Sequence, residues 1–187
     1  TFAVTAYRSV GIAARQVYTP RWAHCDDNHA WVEVFVDGEW HFLGACEPEE
    51  VLDTGWFSGP ANRAILIHTR NFSDYVKESN EEYLGKEGAL YYFNHTDFYG
   101  RTKLVKILVK DENGKPAAGA HIAVEILNMA EFFPAAVMIA DADGEVQMTL
   151  GLGDIRVRAF DGIRRAEAMM RIEEEDSLEL VLQEEAV

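Results

Sequence analysis

The chain has 187 residues, 48% of them hydrophobic and 26% charged, which at roughly 100–200 residues per domain allows one or two compact domains with cores of their own. Its 17 Lys+Arg against 32 Asp+Glu leave a formal charge of −15. With that excess spread evenly along the chain and no basic cluster to release counterions, nucleic acid and anionic lipid are disfavoured as partners. No apolar stretch approaches the roughly 18 residues that a spanning helix needs, so no membrane insertion is expected.

Residues 1–10 place Phe2, Ala6 and Val10 at spacing four with Ala3 and Tyr7 beside them, and Gly11 follows as a stop. The spacing predicts a short buried helix. The chain opens at Thr1, without an initiator Met, directly into that pattern, so it reads as a piece cut from a longer polypeptide. Ala14 to Thr19 predicts a strand ending at Pro20, and 21–28 (RWAHCDDN) a polar loop. His29 to Val36 then alternates, Asp37-Gly38 supplies a two-residue hairpin turn, and Glu39 to Leu43 returns.

That turn sets Val36 opposite Glu39 and Phe35 opposite Trp40; continued, the register sets Trp31 opposite Gly44 and His29 opposite Cys46. His29, Trp31, Glu33 and Phe35 then share one face with Gly44 and Cys46, where the polar chemistry sits, and the valine face is core. Residues 47–100 are less regular, with an apolar run at Ala64 to Ile67 and an aromatic segment from Tyr91 to Tyr99; they predict strands and loops that complete a first domain. From Lys103 the texture becomes short strands separated by Gly/Asp turns, with a loop running to Pro134. This predicts an all-β sandwich over 103–187, after a first domain at 1–102.

The cluster His24-Cys25-Asp26-Asp27-Asn28-His29 holds every common metal-ligand type, but a zinc site built from local pairs needs a second pair, and none exists. A polar loop whose Asp and Asn cap turns is the better reading, and no metal or cofactor is expected. Two cysteines, Cys25 and Cys46, neither form a disulfide scaffold nor fix a compartment. His29 has the setting that a catalytic imidazole needs: a rigid strand, an apolar opposite face and an indole beside it at Trp31.

The run ARQVYTPRWAHCDDNHAWVEVFVDGEWHFLGACEPE, residues 14–49, resembles the transglutaminase-like superfamily of cysteine enzymes. The resemblance implies an α+β fold: a truncated papain-like core with an antiparallel sheet, followed by the C-terminal all-β sandwich. It implies that His29 is the catalytic histidine, supported by Trp31, and that the nucleophilic cysteine stands at the start of the first helix, before Thr1. The family's aspartate falls on Gly44, which cannot orient an imidazole; Glu47 is the nearest replacement, with Asp26 and Asp27 behind it.

On this reading the parent is a cysteine amidase or peptidase that attacks peptide or glutamine amides through an acyl-enzyme, with a protein or peptide as substrate and the present chain inactive alone. Cys46 substitutes for the missing thiol only if the hairpin register holds. The alternative is a non-catalytic scaffold that binds peptide or glycan on a degenerate core of the same kind.

The second half, VKDENGKPAAGAHIAVEI with DADGEVQMTLGLGDIRVRAFDG, is similar to the carboxypeptidase-regulatory-like, transthyretin-type sandwich. That similarity implies an accessory role and leans toward an extracytoplasmic or secreted setting. Asp141, Asp143 and Gly144 lack the full ligand pattern of a calcium loop and predict a β-turn. Two sequons, Asn71-Phe72-Ser73 and Asn94-His95-Thr96, matter only in a eukaryotic secretory pathway. The oligomeric state is not legible.

Overall fold

Period-two alternation of apolar residues runs through most of the chain, and strands follow from it. A computed structural model describes residues 1–72 and 81–184. The described part of the first half contains β1 (Ala14–Thr19), β2 (His29–Val36), β3 (Glu39–Leu43), β4 (His68–Phe72), β5 (Glu82–Glu87) and β6 (Leu90–Asn94). They form one antiparallel sheet in the order β3-β2-β1-β4-β6-β5. Helices are few: α1 (Phe2–Ser9) has eight residues, and α2 (Ser58–Ala61) and α3 (Thr96–Tyr99) have four each.

This overturns the expected α+β, papain-like core. The chain is mostly strand, and the single two-turn helix is too short to form a layer over six strands. α1 covers only the corner where Val4, Ala3 and Tyr7 meet Ala14, Val32 and Val34. The opposite face is covered by loop and one-turn helices, through Trp22, Phe57, Ala61, Ala64 and Tyr99.

Asp37 and Gly38 both take positive φ, 53° and 92°, so the hairpin turn is the type I′ that an Asp-Gly pair favours. The register is as read for Val36↔Glu39 and Phe35↔Trp40, but the ladder ends at Val32↔Leu43. Gly44 and Cys46 therefore pair with neither Trp31 nor His29. The expectation of one polar face also fails, because Trp31 and Glu33 on one side and Val32 and Val34 on the other are all buried.

In the second half, β7 (Thr102–Lys110), β10 (Glu145–Gly151) and β13 (Ser177–Val181) make a three-stranded sheet, β13 running parallel to β7. β8 (His121–Asn128), β9 (Glu131–Ile139), β11 (Asp154–Phe160), β12 (Arg164–Arg171) and the short β14 (Gln183–Glu184) make a five-stranded one. The two sheets enclose a common core that includes Val105, Ile107, Ile122, Val124, Met148 and Ile155, which is a β-sandwich.

The loop expected to run to Pro134 is instead a hairpin. Asn128 pairs with Glu131 across Met129 and Ala130, both at positive φ without being glycine. What holds that turn is the 21–28 loop: Asn128 Nδ2 donates to the carbonyls of Trp22 and Cys25, and the amide of Met129 donates to Asp26 Oδ1. The Asp141 turn is closed as expected, its carboxylate accepting from the amides of Asp143 and Glu145.

The apolar run 64–67 is no strand. It is a buried strap that shares its side chains between cores, Ile65 and Leu66 entering the sandwich and Ala64 and Ile67 the first sheet's core. Gly151 binds it backbone to backbone, its amide donating to the Ile65 carbonyl. A Cβ at Gly151 would stand 1.9 Å from the Ala64 oxygen, so Gly151→Ala must push two backbones apart. We expect it to cost about 3 kcal/mol, in the range of overpacked cores. Gly59→Ala, in α2 with nothing within 4 Å of its added Cβ, should cost nothing, both variants being read by urea titration.

Candidate functional site

His29 is the first residue of β2, held opposite Thr19 of β1. Its ring sits in an aromatic box, with centroids of Trp56 at 4.7 Å, Phe57 at 5.0 Å, Trp31 at 5.7 Å and Trp22 at 6.2 Å. Trp56 and Phe57 come from the turn before α2, and Trp22 from the loop after β1, so three separate segments close on one imidazole. Burial lowers the His29 pKa, against the charges of Glu47 and Asp27, which act to raise it. The Nε2 atom is buried without a hydrogen-bond partner among the described residues.

Glu47 Oε1 lies 3.9 Å from that nitrogen, a charge contact beyond hydrogen-bond reach. The same oxygen accepts from Trp56 Nε1 at 3.1 Å. The chain doubles back at Gly44, where an added Cβ would meet the Glu47 carbonyl oxygen at 2.6 Å; no acidic side chain fits there without moving the turn that returns Glu47. Asp26 is committed to the Met129 amide, and Asp27 to that of Asn28.

Cys25 and Cys46 are exposed free thiols. α1 packs through Val4, Ala3 and Tyr7 on the Val32/Val34 face, and alternation along β2 puts the His29 ring on the other. Among the described residues no three His, Cys, Asp or Glu side chains gather as metal ligands.

Behind Trp31 runs a buried polar chain. Trp31 Nε1 donates to the Tyr99 hydroxyl at 2.8 Å, and that hydroxyl donates to Glu33 Oε1 at 2.5 Å. Glu33, fully buried, takes Arg15 Nε on its other oxygen at 2.6 Å. His95 Nε2 stands 3.2 Å from Glu33 and 3.1 Å from the Arg15 guanidinium, which also reaches Glu81. Burial raises the Glu33 pKa, but the hydrogen bond and charge of His95, the Arg15 charge and the Tyr99 hydroxyl outweigh it, and the net direction is down.

The sequence reading placed Glu33 on the polar face and missed Arg15, His95 and Tyr99. Pairing β1 with β2 would have exposed the first, because the register sets Arg15 opposite Glu33. The second sequon is likewise absorbed into structure: Asn94 is buried and donates to Glu82 and to the Thr149 carbonyl. We expect Asn94 to stay unglycosylated on secretion from a eukaryotic host, read as no mass change on glycosidase treatment of an Asn71→Gln variant. Ser73 of the first sequon lies outside the described residues.

Residues 1–45 match the model of the Transglutaminase-like superfamily. No curated protein matches the chain. Among solved structures it is similar to a Streptococcal ancillary pilin, at 11% identity and a TM-score of 0.35, over 91% of this chain and 62% of that one. The shaft pilin SpaA from Lactobacillus rhamnosus GG gives 9% identity and a TM-score of 0.38, over 95% and 86%. The chain thus spans less than two thirds of the ancillary pilin's length.

Proposed function

We propose that this chain carries the histidine side of a transglutaminase-like acyl-transfer site, with His29 as the proton-transfer group, Glu47 as the acid that biases it and Trp31 in support. The observation that carries the reading is the His29 imidazole itself: enclosed by indoles, its Nε2 buried and unpartnered, with a carboxylate 3.9 Å away. A buried ring nitrogen with no partner is costly, and a thiol would satisfy it.

On this reading the nucleophile is a cysteine upstream of Thr1, since Cys25 and Cys46 are exposed thiols and neither stands opposite His29 in a strand ladder. His29 takes the thiol proton, and the thiolate attacks the carbonyl carbon of a peptide or glutamine amide. The C–N bond breaks as the imidazolium returns the proton to the departing amine. Water or an amine then attacks the thioester, giving its proton to His29, and the thiolate leaves. Residues 103–187 act as an accessory sandwich.

The rival reading, a peptide-binding scaffold without chemistry, is favoured by one contact: Glu47 bonds Trp56 rather than His29. The two are separated by expressing the gene extended upstream through the first Cys codon and assaying glutamine-containing and simple peptide substrates. Thiol-dependent turnover by the extended protein, with the 187-residue chain at background, is the expected result. An extended protein that binds these peptides and turns over none selects the scaffold, and turnover by the short chain that is lost in Cys46→Ala would relocate the nucleophile.

A further inference from the structure

A second concavity, of about 400 Å³, lies where the first sheet meets β9 of the sandwich. One wall is built by cross-strand partners: Tyr18 opposite His68, and Arg70 opposite Tyr92. The other wall is the apolar start of β9, Phe133 to Ala136. Neither wall contributes to the His29 box.

Three features of the first wall stand out. Arg70 forms no ion pair among the described residues, although the chain holds 32 carboxylates. Its guanidinium carbon lies over the Tyr18 ring at 3.9 Å and 5.8 Å from the Tyr92 ring centroid, and its Nε is buried with no partner among the described residues. His68, 4% exposed, also has a buried, unpartnered ring nitrogen, Nδ1, and it too lines the space. Burial first, then the Arg70 charge, lowers its pKa to about 3, so at neutral pH it is an uncharged polar group beside a fixed cation.

Leaving Arg70 Nε and His68 Nδ1 both buried without a partner among the described residues is costly, and the two residues line one cavity. Lys86, without an ion pair among the described residues, adds a second cation, its ammonium 5.7 Å from the Tyr91 ring. Among the described residues the cleft has one lining carboxylate, Glu87, which accepts from the Tyr92 hydroxyl at 3.2 Å.

We infer that this cleft is a binding site for a small aromatic carboxylate, with the carboxylate on the Arg70 guanidinium beside His68 Nδ1 and the ring between Tyr92 and the Phe133–Pro134 wall. A planar fork takes a carboxylate in two parallel hydrogen bonds, and aromatic walls with a few convergent polar groups are the ordinary make-up of a ligand pocket. Glu87 and the net charge of −15 work against a dianion such as phosphate, and the apolar wall works against a bare small anion. The inference is independent of any chemistry at His29.

The test uses the 187-residue chain and phenylacetate, with phenylacetamide as its neutral counterpart, acetate as the bare anion and inorganic phosphate as the dianion. Binding is followed by the nitrogen-15 resonance of Arg70 Nε–H. Phenylacetate should shift that resonance saturably, and the other three should bind at least about tenfold more weakly, the loss of one charge-assisted pair or of the apolar contact. Arg70→Gln should lose phenylacetate binding while its backbone amide spectrum stays dispersed. Equal binding of phenylacetamide, acetate or phosphate overturns the inference, as does unchanged binding by Arg70→Gln or the absence of saturation. If Arg70→Gln does not fold, the four-ligand comparison on the unaltered chain decides.

Discussion

In the upstream-extended protein, His29→Ala should lower kcat by about three orders of magnitude or more, leaving KM for the peptide within a few fold, as losses of a triad member do. Within the segment that matches the transglutaminase-like model, His29 alone combines a shielded ring, a buried nitrogen without a described partner and a nearby carboxylate. Glu47→Gln should cost less, about tenfold to a hundredfold, because its carboxylate acts on the imidazole through charge at 3.9 Å and not through a bond.

The pH profile tells a biasing carboxylate from a packing residue. Burial lowers the His29 pKa and Glu47 opposes that, so the acid limb of kcat/KM should lie below pH 6.5 and move further down in Glu47→Gln. An unmoved limb with full activity would remove Glu47 from the site, and full activity in His29→Ala would remove the catalytic reading altogether.

Local patterns were readable where one strand and its turn decide the outcome. The strand from His29 to Val36 and the Asp37-Gly38 turn stand where they were read, and so does the Phe2–Ser9 helix, although it buries Val4 and leaves Phe2, Ala6 and Val10 exposed. What failed was whatever depends on distant segments. Trp31 and Glu33 looked like a polar face because alternation cannot say that Tyr99, 66 residues beyond Glu33, will cover it. The run 64–67 has strand composition, yet lies buried between two cores and bonds to Thr19, Thr96 and Gly151 instead of a ladder neighbour. The Met129–Ala130 turn carries no Gly or Asn at its centre, so its signal lay in Asp26, about a hundred residues earlier. The fold-class expectation came from the resemblance and not from the residues, which supply strand patterns far more often than helical ones.

Glu33→Ala should lose as much stability as Gly151→Ala. Removing this carboxylate leaves the Arg15 guanidinium, 7% exposed at its side chain, to Glu81, His95 and the Trp40 ring among the described residues, and also frees the Tyr99 hydroxyl that Trp31 bonds. Breaking one side of a buried ion pair costs about 3–5 kcal/mol, and we expect about 3 here because Glu81 stays in place. Tyr99→Phe should cost about half as much, the loss of two hydrogen bonds, while Glu33→Leu combined with Arg15→Met should recover most of the deficit by leaving no charge to bury.

Acid adds an independent check. The folded pKa of Glu33 is lowered, so its contribution is complete above the unfolded carboxylate value and is lost as pH falls through the folded one. His68 acts in a higher window: its folded pKa of about 3 against 6.5 unfolded means that only the unfolded chain takes up that proton. Its share of the stability therefore falls by about 1.4 kcal/mol per pH unit on going below 6.5. Urea midpoints measured from pH 7 to 4 should thus decline in the parent chain and decline less in His68→Phe, whereas Glu33→Ala should start lower and keep the His68 slope. A Glu33→Ala midpoint equal to the parent's at pH 7 would show that the buried chain from Trp31 to Arg15 does not hold the sheet together.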